Sequence, residues 1–155
     1  MKKILSASVL AMMAVTTAYA DEVKVKDAWT RATAPGQDSA MVQFVITSKK
    51  AAKLVGVACK DASTAEMHSM VMEGDLMKMR QVDAIELPAG KAVDLGEAGY
   101  HLMLLGLKKP LEAGKKTNCE MVVRSADGKD IKVQVISEIK PLAESGGHEH
   151  MHHNH

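Results

Sequence analysis

The sequence predicts an all-β fold, an antiparallel Greek-key β-sandwich, on three observations. Short apolar runs recur at 8–12-residue spacing with Gly- and Pro-containing turns between them, the mark of a sandwich or barrel. Most of these runs alternate apolar and polar residues, as strands with one wet face do. No stretch after the first twenty residues has convincing helical periodicity.

The strands follow in order. Val23, Val25, Asp27 and Trp29 alternate with Lys24, Lys26 and Ala28, and residues 33–38 then form a turn or loop. Ala40, Val42, Phe44 and Ile46 give the second strand. The third, from Leu54 to Cys59, is mostly apolar and is expected to be buried on both faces, with a break at Asp61-Ala62-Ser63. A Met-rich hairpin runs from about Thr64 to Val82. Leu87-Pro88-Ala89-Gly90 is a turn, Lys91 to Leu95 a short strand, and Tyr100 to Leu105 a strand that Gly106 ends. Strands over Thr117–Ser125 and Asp130–Ile139 flank a hairpin turn at Ala126-Asp127-Gly128-Lys129, and Pro141 stops the last.

The chain has 155 residues, the size of one domain. Lys2 and Lys3, an apolar run from Ile4 to about Thr16 and a small-x-small site at Ala18-Tyr19-Ala20 predict a secretory signal peptide over residues 1–20, cut after Ala20. The apolar run is too short to span a membrane. Asp21, not a lipidatable cysteine, follows the cut, so no membrane anchor is expected. The predicted domain covers residues 21–141, and the remaining 142–155 are expected to be a disordered His-rich tail. The mature part has 18 basic against 19 acidic residues, which leaves no basic field for nucleic acid. Cys59 and Cys119 are the only cysteines. In an exported chain such a pair suggests a disulfide, the alternative being two buried thiols.

Histidine and methionine carry the functional signal. Of seven histidines, five lie in the last eight residues, so the body holds only His68 and His101. Five of the nine methionines of the mature part fall between Met67 and Met79. Core methionines are scattered gap-fillers, so this clustering beside the two body histidines needs another reason. A hairpin turning at Gly74-Asp75 would face Glu73 with Leu76, Met72 with Met77 and His68 with Gln81. Met79 would then sit diagonally across from His68. His101 and Met103, at i and i+2, share one face of another strand. Should the two units lie at one end of the sandwich, His68, Met79, His101 and Met103 converge. Imidazole and thioether donors without thiolate suit Cu(I). Zinc normally takes more Cys, His or carboxylate, and calcium and magnesium take oxygen. Against this stands the ordinary reading of strand methionines as core and of two histidines as surface residues. The roles of Met67, Met70, Met72 and Met77 stay open between core and an apolar rim.

The pattern of His68, ten residues, Met79, twenty-one residues and His101-Leu102-Met103 resembles the signature of the PCuAC family of periplasmic copper chaperones. Glu66-Met67-His68, Met77-Lys78-Met79-Arg80, Leu87-Pro88-Ala89-Gly90 and Gly99-Tyr100-His101-Leu102-Met103 are similar to that family too, and the resemblance spans about Val23 to Ile139. It implies a cupredoxin-like sandwich that binds Cu(I) through the four residues in the periplasm. It also implies copper delivery to a cytochrome c oxidase copper-site subunit or to a thioredoxin-like copper assembly factor. The protein is expected to be a monomer.

In the tail, His148, His150, Met151, His152, His153 and His155 follow Gly146-Gly147. Flexible imidazoles of this kind favour Cu(II), Ni(II) or Zn(II), and the expected role is capture of Cu(II) near the Cu(I) site. The interspersed Glu149, Met151 and Asn154 argue against a purification tag. Three other functions compete with this one. A blue-copper electron carrier needs a cysteine with nearby histidine, whereas Cys119 is followed by Glu120-Met121-Val122. An enzyme is not expected, because Ser69, adjacent to His68, would point to the opposite face of a strand. Copper storage without a recipient remains the alternative to a chaperone.

Overall fold

The computed structural model describes residues 22–96 and 99–142. The expected signal peptide and the His-rich tail, with His148, His150, Met151, His152, His153 and His155, lie outside the described residues.

Among the described residues ten strands form in chain order: β1 (Val23–Arg31), β2 (Ser39–Ser48), β3 (Ala52–Cys59), β4 (Ala62–Glu73), β5 (Leu76–Gln81), β6 (Ile85–Leu87), β7 (Ala92–Leu95), β8 (Tyr100–Leu107), β9 (Lys116–Ser125) and β10 (Asp130–Lys140). Nine of them hydrogen-bond in the order β5-β4-β8-β2-β1-β10-β9-β3-β6, and β7 pairs with β2. Both arms of this path contribute to one core: Val42, Phe44, Leu102 and Leu104 from one, Leu54, Ile85, Leu87, Met121 and Val123 from the other. The expected all-β sandwich is therefore what forms.

The pairing differs from a purely antiparallel arrangement at one place. β1 runs parallel to β10, with Trp29 opposite Glu138 and Arg31 opposite Lys140. A bulge at Asp27-Ala28 makes this possible. The β1–β2 register shifts between Lys26 and Trp29, and Asp27 takes φ 55, a left-handed conformation that Asp tolerates better than most residues. The far half of β1 is thereby re-aimed to bridge β2 and β10. Trp29 stacks beneath Lys140 Nζ, 4.3 Å from the ring centroid.

Three readings of the chain need correction. β3 buries one face only: Ala52, Leu54 and Cys59 are inside, while Gly56 and Val57 are half-buried and Ala58 is exposed. The apolar residues at 55–58 reflect small size rather than double burial. The expected break at Asp61-Ala62-Ser63 is a tight turn at Lys60-Asp61, and β4 begins at once. Asp61 is buried because its carboxylate accepts a hydrogen bond from Thr117 Oγ1 at 2.8 Å. Lastly, β8 runs on through Gly106 to Leu107. Gly106 takes φ 61, and a Cβ there would meet Ser63 at 3.0 Å, so any other residue at this point of the β4–β8 pairing would be strained and crowded.

The Cys59–Cys119 disulfide forms, between residues directly opposite on β3 and β9 with Cα atoms 4.1 Å apart.

Candidate metal centre

The β4–β5 hairpin turns through Gly74-Asp75. Gly74 takes φ 64 and Asp75 does not take positive φ, which is the Gly-first two-residue loop favoured by strand twist. The turn sets the register: Glu73 faces Leu76, Met72 faces Met77, Met70 faces Met79 and His68 faces Gln81. Alternation then sorts the residues. His68, Met70, Met72, Met77 and Met79 share one face of the hairpin. Glu73, Lys78 and Arg80 share the other, where Glu73 pairs with Arg80 and, at 2.7 Å, with Lys78. Met67 belongs to that second face lower down the strand, where it enters the core and is 5% exposed. Because side-chain period is 2, a one-residue slip would invert the pattern. Inserting one glycine between Gly74 and Asp75 is expected to turn Met79 to the charged face while β4 stays in place. The Met79 methyl group should lose its NMR contacts to Met70 with little change in melting temperature, measured by NOE spectroscopy and calorimetry.

β8 lies on the other side of β4. Leu102 and Leu104 point into the core and are fully buried, which turns His101 and Met103 to the opposite face. In the β4–β8 register His68 stands directly opposite His101, and Glu66 opposite Met103. Directly opposed residues have Cβ atoms about 4.5–5.5 Å apart, so the two body histidines form a cross-strand pair. Met103 is diagonal to His68, and on its far side it faces Met41 of β2.

The imidazoles have an unusual hydrogen-bond state. His68 Nδ1 and His101 Nδ1 are both buried and have no hydrogen-bond partner among the described residues. Buried polar atoms are normally satisfied, and the two orphans belong to adjacent rings. His68 Nε2 lies 2.8 Å from Glu66 Oε2. A ring N–H donated to that carboxylate leaves Nδ1 as a bare lone pair, the arrangement by which an outer carboxylate orients a metal-binding histidine. Glu66 has no role in the sequence pattern of His68, Met79, His101 and Met103. Its signal was its spacing, i−2 from His68, which puts it on the same face.

The four predicted residues thus share one sheet face, but they are not equally close. His68, His101 and Met103 form a compact triangle. Met79 flanks His68 from the other side, two strands and four residues from Met103, a backbone separation of about 17 Å in a flat sheet. The histidine pair lies between the two thioethers. Met79 is also the most accessible of the four, at 46% exposed on the edge strand β5. Among the described residues, no group of three or more His, Cys, Asp or Glu side chains is placed to hold a metal ion. A cation held by this face would therefore take two imidazoles and neutral sulfur, a donor set for a soft, low-charge ion.

The all-β fold has the architecture of solved PCuAC domains. The apo PCuAC domain from PmoF1 is 25% identical, with a TM-score of 0.62, covering 78% of this chain and 95% of that one. The copper-bound PCuAC domain from PmoF2, 20% identical with a TM-score of 0.62, shares the fold over 78% of this chain and 94% of its own. The Cu(I) form of DR1885 from Deinococcus radiodurans is 26% identical, with a TM-score of 0.54 over 73% of this chain and 74% of that one. The chain belongs to the LpqE-like family, whose model, described as "Putative lipoprotein LpqE-like", matches residues 23–135. A curated relative, "Putative lipoprotein Lxx21020" of Leifsonia xyli subsp. xyli, is 34% identical over 117 residues, covering 75% of this chain and 69% of that one. The lipoprotein description groups the family with exported proteins. Both cysteines of this sequence are engaged in the disulfide. Among the described residues no helix is long and apolar enough to cross a membrane.

Proposed function

We propose that this protein is a periplasmic copper chaperone that carries Cu(I) on His68, His101, Met103 and Met79, with Met79 joining the other three as the twisted β4–β5 hairpin curls over the histidine pair. The observation that carries the reading is the pair of opposed histidines whose buried Nδ1 atoms both lack a partner. A soft cation between them would satisfy both at once. The copper-bound forms of two structural relatives, the PmoF2 PCuAC domain and DR1885, support the reading.

The geometry suits a carrier better than a permanent store. Thioethers are neutral, weakly held ligands, and Met79 stands on an exposed edge strand. A recipient's thiolate or imidazole could replace Met79 first while the histidine pair still holds the ion, so that transfer proceeds by stepwise ligand exchange. The proposed recipient is a cytochrome c oxidase copper-site subunit or a thioredoxin-like assembly factor.

The decisive experiment is titration of Cu(I) into the protein against a competing Cu(I) chelator. Tight retention that depends on His68 and His101 supports the proposal, and weak retention independent of them defeats it. The proposed role of the tail separates cleanly. Deleting residues 146–155 is expected to lower the amount of Cu(II) bound while leaving Cu(I) affinity unchanged. Equal Cu(II) uptake by both chains, read by isothermal calorimetry, would remove the tail from the scheme.

A further inference from the structure

We propose a second soft-metal site at the tip of the β4–β5 hairpin, built from the thioethers of Met70, Met72 and Met77 and taking Cu(I) or another d10 monovalent cation. Met72 and Met77 are directly opposed across the two strands, with Cβ atoms about 5 Å apart. Met70 is two residues along β4 on the same face, about 7 Å away, and long unbranched side chains close that gap.

The usual reason for methionine in a strand does not apply here. Met72 is 61% and Met77 63% exposed, so neither fills a core. The core-directed methionine of this strand is Met67, on the opposite face. Exposed apolar side chains gathered on a tip are a cost unless they serve a contact. Sulfur supplies what leucine could not, a soft donor that binds Cu(I) and leaves hard cations in water. The face is also free of repelling charge, because Lys78 and Arg80 point the other way and pair with Glu73.

This site is distinct from the histidine pair. Met72 lies four residues beyond His68 along β4, about 14 Å away, and the two ends have different partners, His101 across from His68 and Met77 across from Met72. Between them Met70 faces Met79, so the hairpin carries an unbroken run of thioethers from its exposed tip to the histidines. Such a run gives an arriving or departing cation sulfur at every step.

The test uses the full chain with its methionine methyl groups labelled with 13C, titrated with Ag(I) as a redox-inert d10 probe. Wild type, His68→Ala/His101→Ala and Met72→Leu/Met77→Leu are compared. The Met72 and Met77 methyl resonances are expected to shift in the wild type after the first equivalent, and to shift also in the histidine variant. The leucine variant should bind one equivalent fewer while its Met103 resonance responds as in the wild type. Unmoved Met72 and Met77 signals at two equivalents, or equal stoichiometry in wild type and leucine variant, would overturn the second site. Loss of binding in the histidine variant alone bears on the first site, so the two failures read differently.

Discussion

Replacing His68 and His101 together by alanine is expected to lower Cu(I) affinity by more than about 100-fold in chelator competition, since even loss of an outer-shell partner costs roughly 10–100-fold. The reasoning follows from the pair itself. The two rings face each other across β4 and β8, and each offers a buried nitrogen with no competing hydrogen bond. A free-standing imidazole in water must first shed solvent and settle its ring orientation, whereas here the sheet has already done both. Glu66→Gln should weaken binding less than loss of the rings, by about tenfold, because the amide keeps the shape but loses the charge that holds the N–H on Nε2. The alanine pair should fold normally, since neither ring belongs to the hydrophobic core. An affinity within threefold of wild type would show that the histidines do not bind the ion.

Removing the disulfide should have the largest effect on stability. Cys59 and Cys119 are 60 residues apart in sequence, and closing a loop of that length lowers the entropy of the unfolded chain by an amount worth roughly 4 kcal/mol. Both cysteines are buried, so Cys59→Ala/Cys119→Ala also forfeits the packing of two sulfur atoms. The double variant is expected to melt about 10–20 °C lower by differential scanning calorimetry. Its Cu(I) affinity at 25 °C should not change, because β3 and β9 are on the opposite arm of the sheet path from β5, β4 and β8. A melting temperature within a few degrees of wild type would mean that β3–β9 pairing already restrains the chain.

The Met-rich hairpin was legible because two local signals agree, a glycine at the turn and strict alternation on both sides of it. Its partner was not. The register between β4 and β8, which sets His68 against His101, depends on strands more than thirty residues apart, and no local rule fixes it. The same holds for the parallel pairing of β1 with β10. β6 was missed because Ile85-Glu86-Leu87 is too short to show a period, although Ile85 and Leu87 are both fully buried. Asp61 reads as a breaker because a carboxylate signals solvent, whereas its hydrogen bond from Thr117 and its ion pair with Lys109 let β4 start beside it. The methionines could have been sorted further. Met67 differs in parity from Met70 and Met72, so one of those faces had to be the core.

The parallel pairing of the first and last strands also governs when the domain can be completed. A chain made or exported from its N-terminus delivers β1 first and β10 last. Until β10 arrives, the far half of β1 keeps one row of backbone groups open, an edge that can pair with another chain. Pairings so distant in sequence are slow to form. The domain should therefore acquire its native sheet order only after the whole of it has emerged, and a chain truncated before Asp130 should aggregate rather than leave a smaller folded core.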